Sequence, residues 1–275
     1  MSQAPTLDPR GPGHDVVFDD IGMTFDTDAG LTRAVANVSG SIPEGKFVSV
    51  IGPSGCGKST LLDMVGGLLK PTQGSVSING EKVTGPRRDT AMVFQEDSTL
   101  HWRTVLDNVA FGLEVKGVSK AERYDAAQRM IELVGLSGFE DHRPGQLSGG
   151  MKQRVAIARA LAMEPRVLLM DEPFGALDQQ TRQFIGRELL RIWEETRNRV
   201  LFITHDIQEA VYLSDEVWVM SARPSVIKEV VPIDLPRPRP EGTHALPRFR
   251  ELEDHLWALV KVEAEKTLGP RAQLA

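Results

Sequence analysis

The chain has a single cysteine, Cys56, in 275 residues, so it can form no internal disulfide and the setting it implies is a reducing one. Its longest apolar runs, such as Val167-Leu168-Leu169-Met170, fall far short of the roughly 20 residues a membrane-spanning helix needs. No segment is therefore expected to line a path through a bilayer. No apolar signal-type segment is found near the start, which adds to the expectation of a cytosolic chain. Runs of Lys and Arg are lacking as well. With 32 basic against 38 acidic residues the formal net charge is -6, which argues against a nucleic-acid binder, since such a protein needs a cationic face to neutralise phosphates. No internal repeat is found. The remainder, 41% apolar and 25% charged, is an ordinary globular composition for one large domain, or for one with a satellite subdomain.

Residues 1–14 carry Pro5, Pro9, Gly11, Pro12 and Gly13 without periodic apolar positions, which predicts a disordered leader. Short alternating stretches at 16–25 and 34–42 predict antiparallel strands. Phe47-Val48-Ser49-Val50-Ile51 reads as a buried strand, followed by a Gly-rich turn and a helix over about 58–68. Further strands are expected at 75–78, 90–94, 167–171, 200–204 and 216–220. Between Phe94 and Met151 strand signals give way to helical patterning, notably over 120–134, which predicts a helical satellite over about 96–149. Strands alternating with helices on either side of it predict an α/β fold with a largely parallel core. The segment Pro236-Arg237-Pro238-Arg239-Pro240 reads as a linker. The tail, 241–275, is expected to hold one short amphipathic helix over about 249–262.

The first chemical motif is Gly52-Pro53-Ser54-Gly55-Cys56-Gly57-Lys58-Ser59. It fits G-x-x-x-x-G-K-[ST] and lies between a predicted strand and a predicted helix, the context that gives the pattern meaning. Glycines let backbone amides turn inward around phosphates, and the helix N-terminus adds its positive dipole end. Lys58 brings a charge for the β/γ-phosphates, and Ser59 a hydroxyl for Mg²⁺. The whole stretch through Thr60 is the expected nucleotide contact. Cys56, beside Lys58 and among inward-pointing amides, is expected to favour its thiolate form.

The second motif is the apolar strand ending in Asp171 and Glu172, at the strand end where open α/β sheets place ligand chemistry. Asp171 is expected to hold Mg²⁺ and Glu172 to polarise an attacking water. Alone, two acids at a strand end read as a solvated turn; the phosphate loop upstream changes that weighting. Trp102 is read as a packing residue by its apolar bulk.

What narrows the field is Leu147-Ser148-Gly149-Gly150-Met151-Lys152-Gln153. It resembles the signature of ATP-binding-cassette (ABC) ATPases, and other family positions follow in order. Gln95 stands at the lid glutamine, Ala176-Leu177-Asp178 at the dimer-facing loop, His205 at the switch histidine, and Phe25 where the family stacks an aromatic ring on adenine. Singly, Phe25 also reads as a core residue, Ser148 as a helix cap, and Gln95, Asp178 and His205 as surface polar groups. The resemblance spans about 15–240. It implies a P-loop NTPase (RecA-like) core with an antiparallel β subdomain and a helical insertion, ATP and Mg²⁺ as ligands, and Ser59, Gln95 and Asp171 around the metal. Catalysis falls to Glu172, Gln95 and His205. Ser148, Gly149 and Gly150 are implied to cap the γ-phosphate held by a second copy of the chain.

Within that family, Trp102-Arg103-Thr104-Val105, the stretch from Leu168 to Asp178, and Ala222-Arg223-Pro224 look like the motors of nitrate, sulfonate and taurine importers. His101 and Ser225 depart from that pattern, where proline and glycine are expected. The resemblance implies a peripheral subunit on the cytoplasmic membrane face, partnered by integral permease subunits and, indirectly, by an extracytoplasmic solute-binding protein. Alternatives are a soluble ABC ATPase without a permease, which is a rival of another class, and an ABC motor for another cargo.

Overall fold

The computed structural model describes residues 15–28, 30–96 and 98–268, so the leader expected at 1–14 lies outside the described residues. In chain order the elements are β1 (Val16–Thr27), β2 (Gly30–Ile42), β3 (Phe47–Ile51), α1 (Lys58–Gly66), β4 (Gln73–Ile78), β5 (Glu81–Lys82) and β6 (Thr90–Val93). There follow α2 (Val105–Val115), α3 (Lys120–Leu133), α4 (Gly149–Ala162), β7 (Val167–Asp171) and α5 (Gln179–Thr196). The last are β8 (Arg199–Ile203), α6 (Ile207–Leu213), β9 (Glu216–Met220), β10 (Ile227–Pro232) and α7 (Pro247–Leu268). They fall into two units: the described residues up to Arg87 together with those from Arg197 onward, and Arg88–Thr196.

In the first unit an antiparallel sheet runs β2-β1-β4-β5, with Val16 opposite Ile42 on one side and Ile78 on the other. A second sheet segment runs β10-β9-β3-β8. There β3 pairs in parallel with both β8 and β9, and β10 lies antiparallel to β9. All five residues of β3 and all five of β8 are buried, as mainly apolar strands of a parallel sheet should be. Ser49 is the polar exception in β3, and its hydroxyl is bonded to that of Ser214. Strand β10 was not foreseen. Lys228, Glu229 and Pro232 break its apolar pattern, a composition that suits the edge it occupies.

The tail corrects two expectations. The segment 236–240 is no free linker, for Arg239 is 5% exposed. Its Nη1 donates to the carbonyls of Val211, Tyr212 and Ser214 at 3.2, 2.7 and 2.8 Å. One guanidinium thus satisfies carbonyls that the end of α6 leaves without helical partners. Arg237 adds an ion pair to Asp215 at 3.0 Å. The tail helix is also longer than expected, 22 residues, because its last turns are held by a polar anchor that an apolar pattern does not register. Glu263, 2% exposed, pairs with Lys228 at 2.8 Å and Lys266 at 2.6 Å and accepts from the Ala222 amide at 3.1 Å. Burial pushes its carboxyl up, but these three donors outweigh burial and lower it from 4.5 to about 2.

In the second unit β6 and β7 pair in parallel, Thr90 opposite Val167 through Val93 opposite Met170. Helices α2, α3 and α4 begin at Thr104, Ser119 and Ser148, whose side chains accept from the amides of Asp107, Glu122 and Met151. Buried Asn108 accepts from the Leu100 amide at 2.7 Å and donates to the carbonyls of Leu100, Arg103 and Thr104. That fixes the 100–104 loop and leaves Trp102 70% exposed. Trp102 therefore packs no core within this chain, contrary to the reading of its bulk. Helix α5 buries Ile185, Leu189, Leu190 and Trp193 along one stripe.

Two outcomes follow for stability. Arg239→Met keeps the bulk but removes the donors, and should cost about 1.5–3 kcal/mol, read as a lower urea midpoint at an unchanged slope. For Glu263 the folded pKa is depressed, so its contribution is full above pH 4.5 and is lost as pH falls from 4.5 toward 2. Glu263→Gln should therefore be less stable than wild type at neutral pH, with the gap narrowing below pH 4.5; a gap indifferent to pH would remove the charge from this account.

Candidate functional site

The phosphate loop, His205, Gln95, Asp171 and Glu172 stand at the carboxyl ends of parallel strands. In the first unit the loop Gly52–Ser59 leaves β3 and enters α1, whose N-cap is Gly57 in a left-handed conformation at φ 109. A β-carbon on Gly57 would approach Val35 Cγ2 to 3.1 Å and Ser225 Oγ to 3.4 Å, so conformation and space both call for glycine. No side chain caps α1 and its first turn carries no acid, which leaves the positive helix end to the loop. Lys58 is 7% exposed and folds back across the loop, donating to the carbonyls of Gly52 at 3.0 Å and Pro53 at 3.1 Å. Ser54, Gly55 and Ser59 are exposed, while Gly52, Pro53 and Cys56 are buried and Thr60 is half-buried.

Cys56 departs from expectation. Burial pushes its thiol up, and the charges of Lys58 and Arg223 pull the other way without prevailing. The site therefore favours the neutral thiol, because Cys56 is 2% exposed and desolvation penalises the anion.

Strand β8 lies beside β3 with Val50 opposite Ile203, so the chain leaving β8 emerges next to the phosphate loop. His205 stands there, exposed, between two fixed points. Thr204 donates to Glu209 at 2.6 Å, and Asp206 caps α6 by accepting from the amides of Gln208 and Glu209. Phe25 is half-buried in β1, opposite Thr32.

In the second unit Asp171 ends β7 and is 7% exposed. Glu172 follows at φ 44, a left-handed conformation uncommon outside glycine and concentrated at functional sites. Gln95, just beyond β6, donates its amide to the Glu172 carboxylate at 3.3 Å. Gln153 of α4 donates to the Phe94 carbonyl at 3.3 Å, tying the helix that follows Ser148 to the segment carrying Gln95. Ser148 and Gly149 are exposed. A β-carbon on Gly150 would lie 3.1 Å from the Ala176 carbonyl, so this turn rests against the 176–178 loop. Asp178 accepts from the Thr181 amide at 3.0 Å and hydroxyl at 2.7 Å, and these bonds hold its carboxyl below the usual range. Ser148 does cap α4, yet a hydroxyl that accepts one bond still has a proton to donate. Sequence reasoning assigned no site role to Arg223, whose Nε donates to the Gly55 carbonyl; the Ala222-Arg223-Pro224 stretch was its only signal.

A profile of the ABC transporter family matches residues 35–175. An uncharacterised ABC transporter ATP-binding protein of Methanocaldococcus jannaschii is 50% identical over 244 residues, 89% of this chain and 90% of that protein. A nitrate import ATP-binding protein of Synechocystis is 48% identical over 217 residues, 79% of this chain and 82% of that protein. Among solved structures, a dimeric ATP-binding cassette in a post-hydrolysis state with ADP and phosphate superposes at TM-score 0.74 and 35% identity, covering 80% of this chain and 99% of that one. These matches, taken with the phosphate loop and the acids that end β7, place the chain in the ABC transporter family of ATPases.

Proposed function

We propose that the chain is the motor subunit of an ABC importer for a small solute such as nitrate, a sulfonate or taurine, working as a pair of copies on the cytoplasmic membrane face. The observation that carries this is the pairing of Gln95 with Glu172 beyond β6 and β7, in a chain whose Lys58 is already drawn into a phosphate loop. The nitrate import relative supports the direction and class of cargo, and the dimeric neighbour supports the pair. Among the described residues no helix is long and apolar enough to cross a membrane, so in this reading permease subunits provide the path and a solute-binding protein delivers the cargo.

In this reading the amides from Gly52 to Thr60 and the Lys58 ammonium hold the phosphates of ATP, and Phe25 flanks its base. Ser59, Gln95 and Asp171 offer oxygen donors only, with a single carboxylate among them. That set fits Mg²⁺, which keeps waters and shares its shell with substrate phosphates, and the ion would supply neutralisation of the charge on the β/γ-oxygens. Glu172 takes a proton from water as the water oxygen bonds to the γ-phosphorus and the bond to the β-phosphate oxygen breaks, giving ADP and phosphate. His205 orients the γ-phosphate. Ser148, Gly149 and Gly150 of the second copy cap it, with Asp178 facing across. Loss of the bridging phosphate then lets the pair open.

Glu172→Gln should bind ATP but hydrolyse it at least ~100-fold more slowly, losing the contribution of a general base. With MgATP it should elute as a dimer in size-exclusion chromatography, and adding Ser148→Arg should return it to monomer. Wild-type hydrolysis by Glu172→Gln, or a monomer at every concentration up to tens of micromolar, would refute the paired site.

The exposed Trp102, on a loop braced by Asn108, fits contact with a permease. Trp102→Ala should leave the ATPase rate of the purified chain within about twofold while abolishing uptake of labelled nitrate, taurine or alkanesulfonate by cells. Retained uptake of whichever solute the wild type imports would place the contact elsewhere.

A further inference from the structure

The stretch Ala222-Arg223-Pro224-Ser225 follows β9 and touches the phosphate loop at two points. Arg223 donates from Nε to the Gly55 carbonyl, and its Nη2 lies 3.5 Å from where a Gly55 β-carbon would sit. Ser225, fully buried, lies 3.4 Å from the corresponding position on Gly57. Ser225 is itself immobilised: its amide and hydroxyl both donate to the Ala34 carbonyl, at 3.0 and 2.9 Å, and its carbonyl accepts from the Ala36 amide at 2.8 Å. Cys56 is thus bracketed by two supported glycines.

The contact at Gly55 has a consequence for phosphate binding. A peptide unit is planar, so its C=O and the next N–H point in opposite directions. An arginine that holds the Gly55 carbonyl therefore fixes one end of the Gly55–Cys56 peptide, whose other end, the Cys56 amide, donates to the Pro53 carbonyl at 3.3 Å, and so sets the turn on which a loop of this kind presents its amides to phosphate. Without the arginine only the 3.3 Å bond from the Cys56 amide to the Pro53 carbonyl would hold that peptide, beside a glycine that populates positive and negative φ about equally.

The support continues outward. The Ala222 amide, next to Arg223 in the chain, donates to Glu263 Oε2 at 3.1 Å. Glu263 sits on α7, held by Lys228 at 2.8 Å and Lys266 at 2.6 Å. Buried carboxylate, amide, arginine and phosphate loop form one chain of contacts within the first unit, and the tail helix is its outer end.

We propose that Arg223 is a positioning residue for the phosphate loop, and that α7 sets its position through Glu263 and Ala222, so that the tail helix tunes the affinity for ATP. This rests on the loop's role in binding ATP, which Lys58→Ala tests separately. In titration with a fluorescent ATP analogue, Arg223→Ala should raise Kd by ~three- to tenfold, the effect of one charge-assisted hydrogen bond acting at second hand. Its kcat at saturating ATP should stay within about twofold, and Arg223→Lys, which still carries a donor, should recover most of the affinity. A variant that merely folded badly would instead lose active protein and kcat at an unchanged Kd.

Glu263→Gln should raise Kd about two- to threefold in the wild-type background and leave it unchanged when Arg223 is already alanine. If Lys58→Ala weakens binding and Arg223→Ala does not, the positioning role is wrong. If Glu263→Gln shifts Kd equally in both backgrounds, or in neither, the link from α7 is wrong. Should Arg223→Ala fold poorly, Arg223→Met is expected to give the same rise in Kd, and an unchanged value there overturns the proposal equally.

Discussion

Parallel strands that are buried on both faces have no exposed side along which to carry polar chemistry, and this constraint decides where the phosphate loop, Gln95, Asp171, Glu172 and His205 stand. In the first unit β3 and β8 are wholly buried, so the phosphate loop begins at the residue after β3 and His205 stands two residues beyond β8. In the second unit β6 and β7 pair in the same sense, and Gln95, Asp171 and Glu172 cluster at their carboxyl ends. Chemistry at the carboxyl edge of an open sheet follows from burial and strand direction before any ligand is considered.

The helix starts show how the chain leaves the positive end of α1 to the loop that precedes it. Helices α2, α3, α4 and α6 have their first amides answered by Thr104, Ser119, Ser148 and Asp206. Helix α1 is different, for Gly57 has no side chain to offer and the first turn no acid. In the proposed function its amides, with the Lys58 ammonium nearby, receive the phosphates. The same economy explains Cys56: a small side chain is needed there, and its burial makes it a poor thiolate in spite of two neighbouring cations.

Local signals carried most of the strand and motif assignments. Phe47–Ile51 and Val167–Asp171 were legible because short, largely apolar runs bounded by Gly or acid have few other readings. The phosphate loop and the LSGG turn were legible because their residues are constrained by backbone geometry at fixed spacing. Strand β10 was not, since an edge strand with Lys228, Glu229 and Pro232 has no apolar pattern to read. Trp102 was misread because bulk predicts burial only on average, and the buried Asn108 brace that turns it outward lies six residues downstream.

The sequence by itself determined the chemistry: a glycine-rich loop ending in Lys58 and Ser59, acids closing an apolar strand, and the signature that names the family. These are properties of short segments, where residue type and spacing dictate what the backbone can do. Only the tertiary structure decided what holds those segments in place. Arg239 on the carbonyls that end α6, Glu263 on the Ala222 amide and Arg223 on the Gly55 carbonyl join residues 27, 41 and 168 positions apart. A charged side chain in a Pro-rich or polar stretch reads as surface until the fold supplies the buried partners that make it structural.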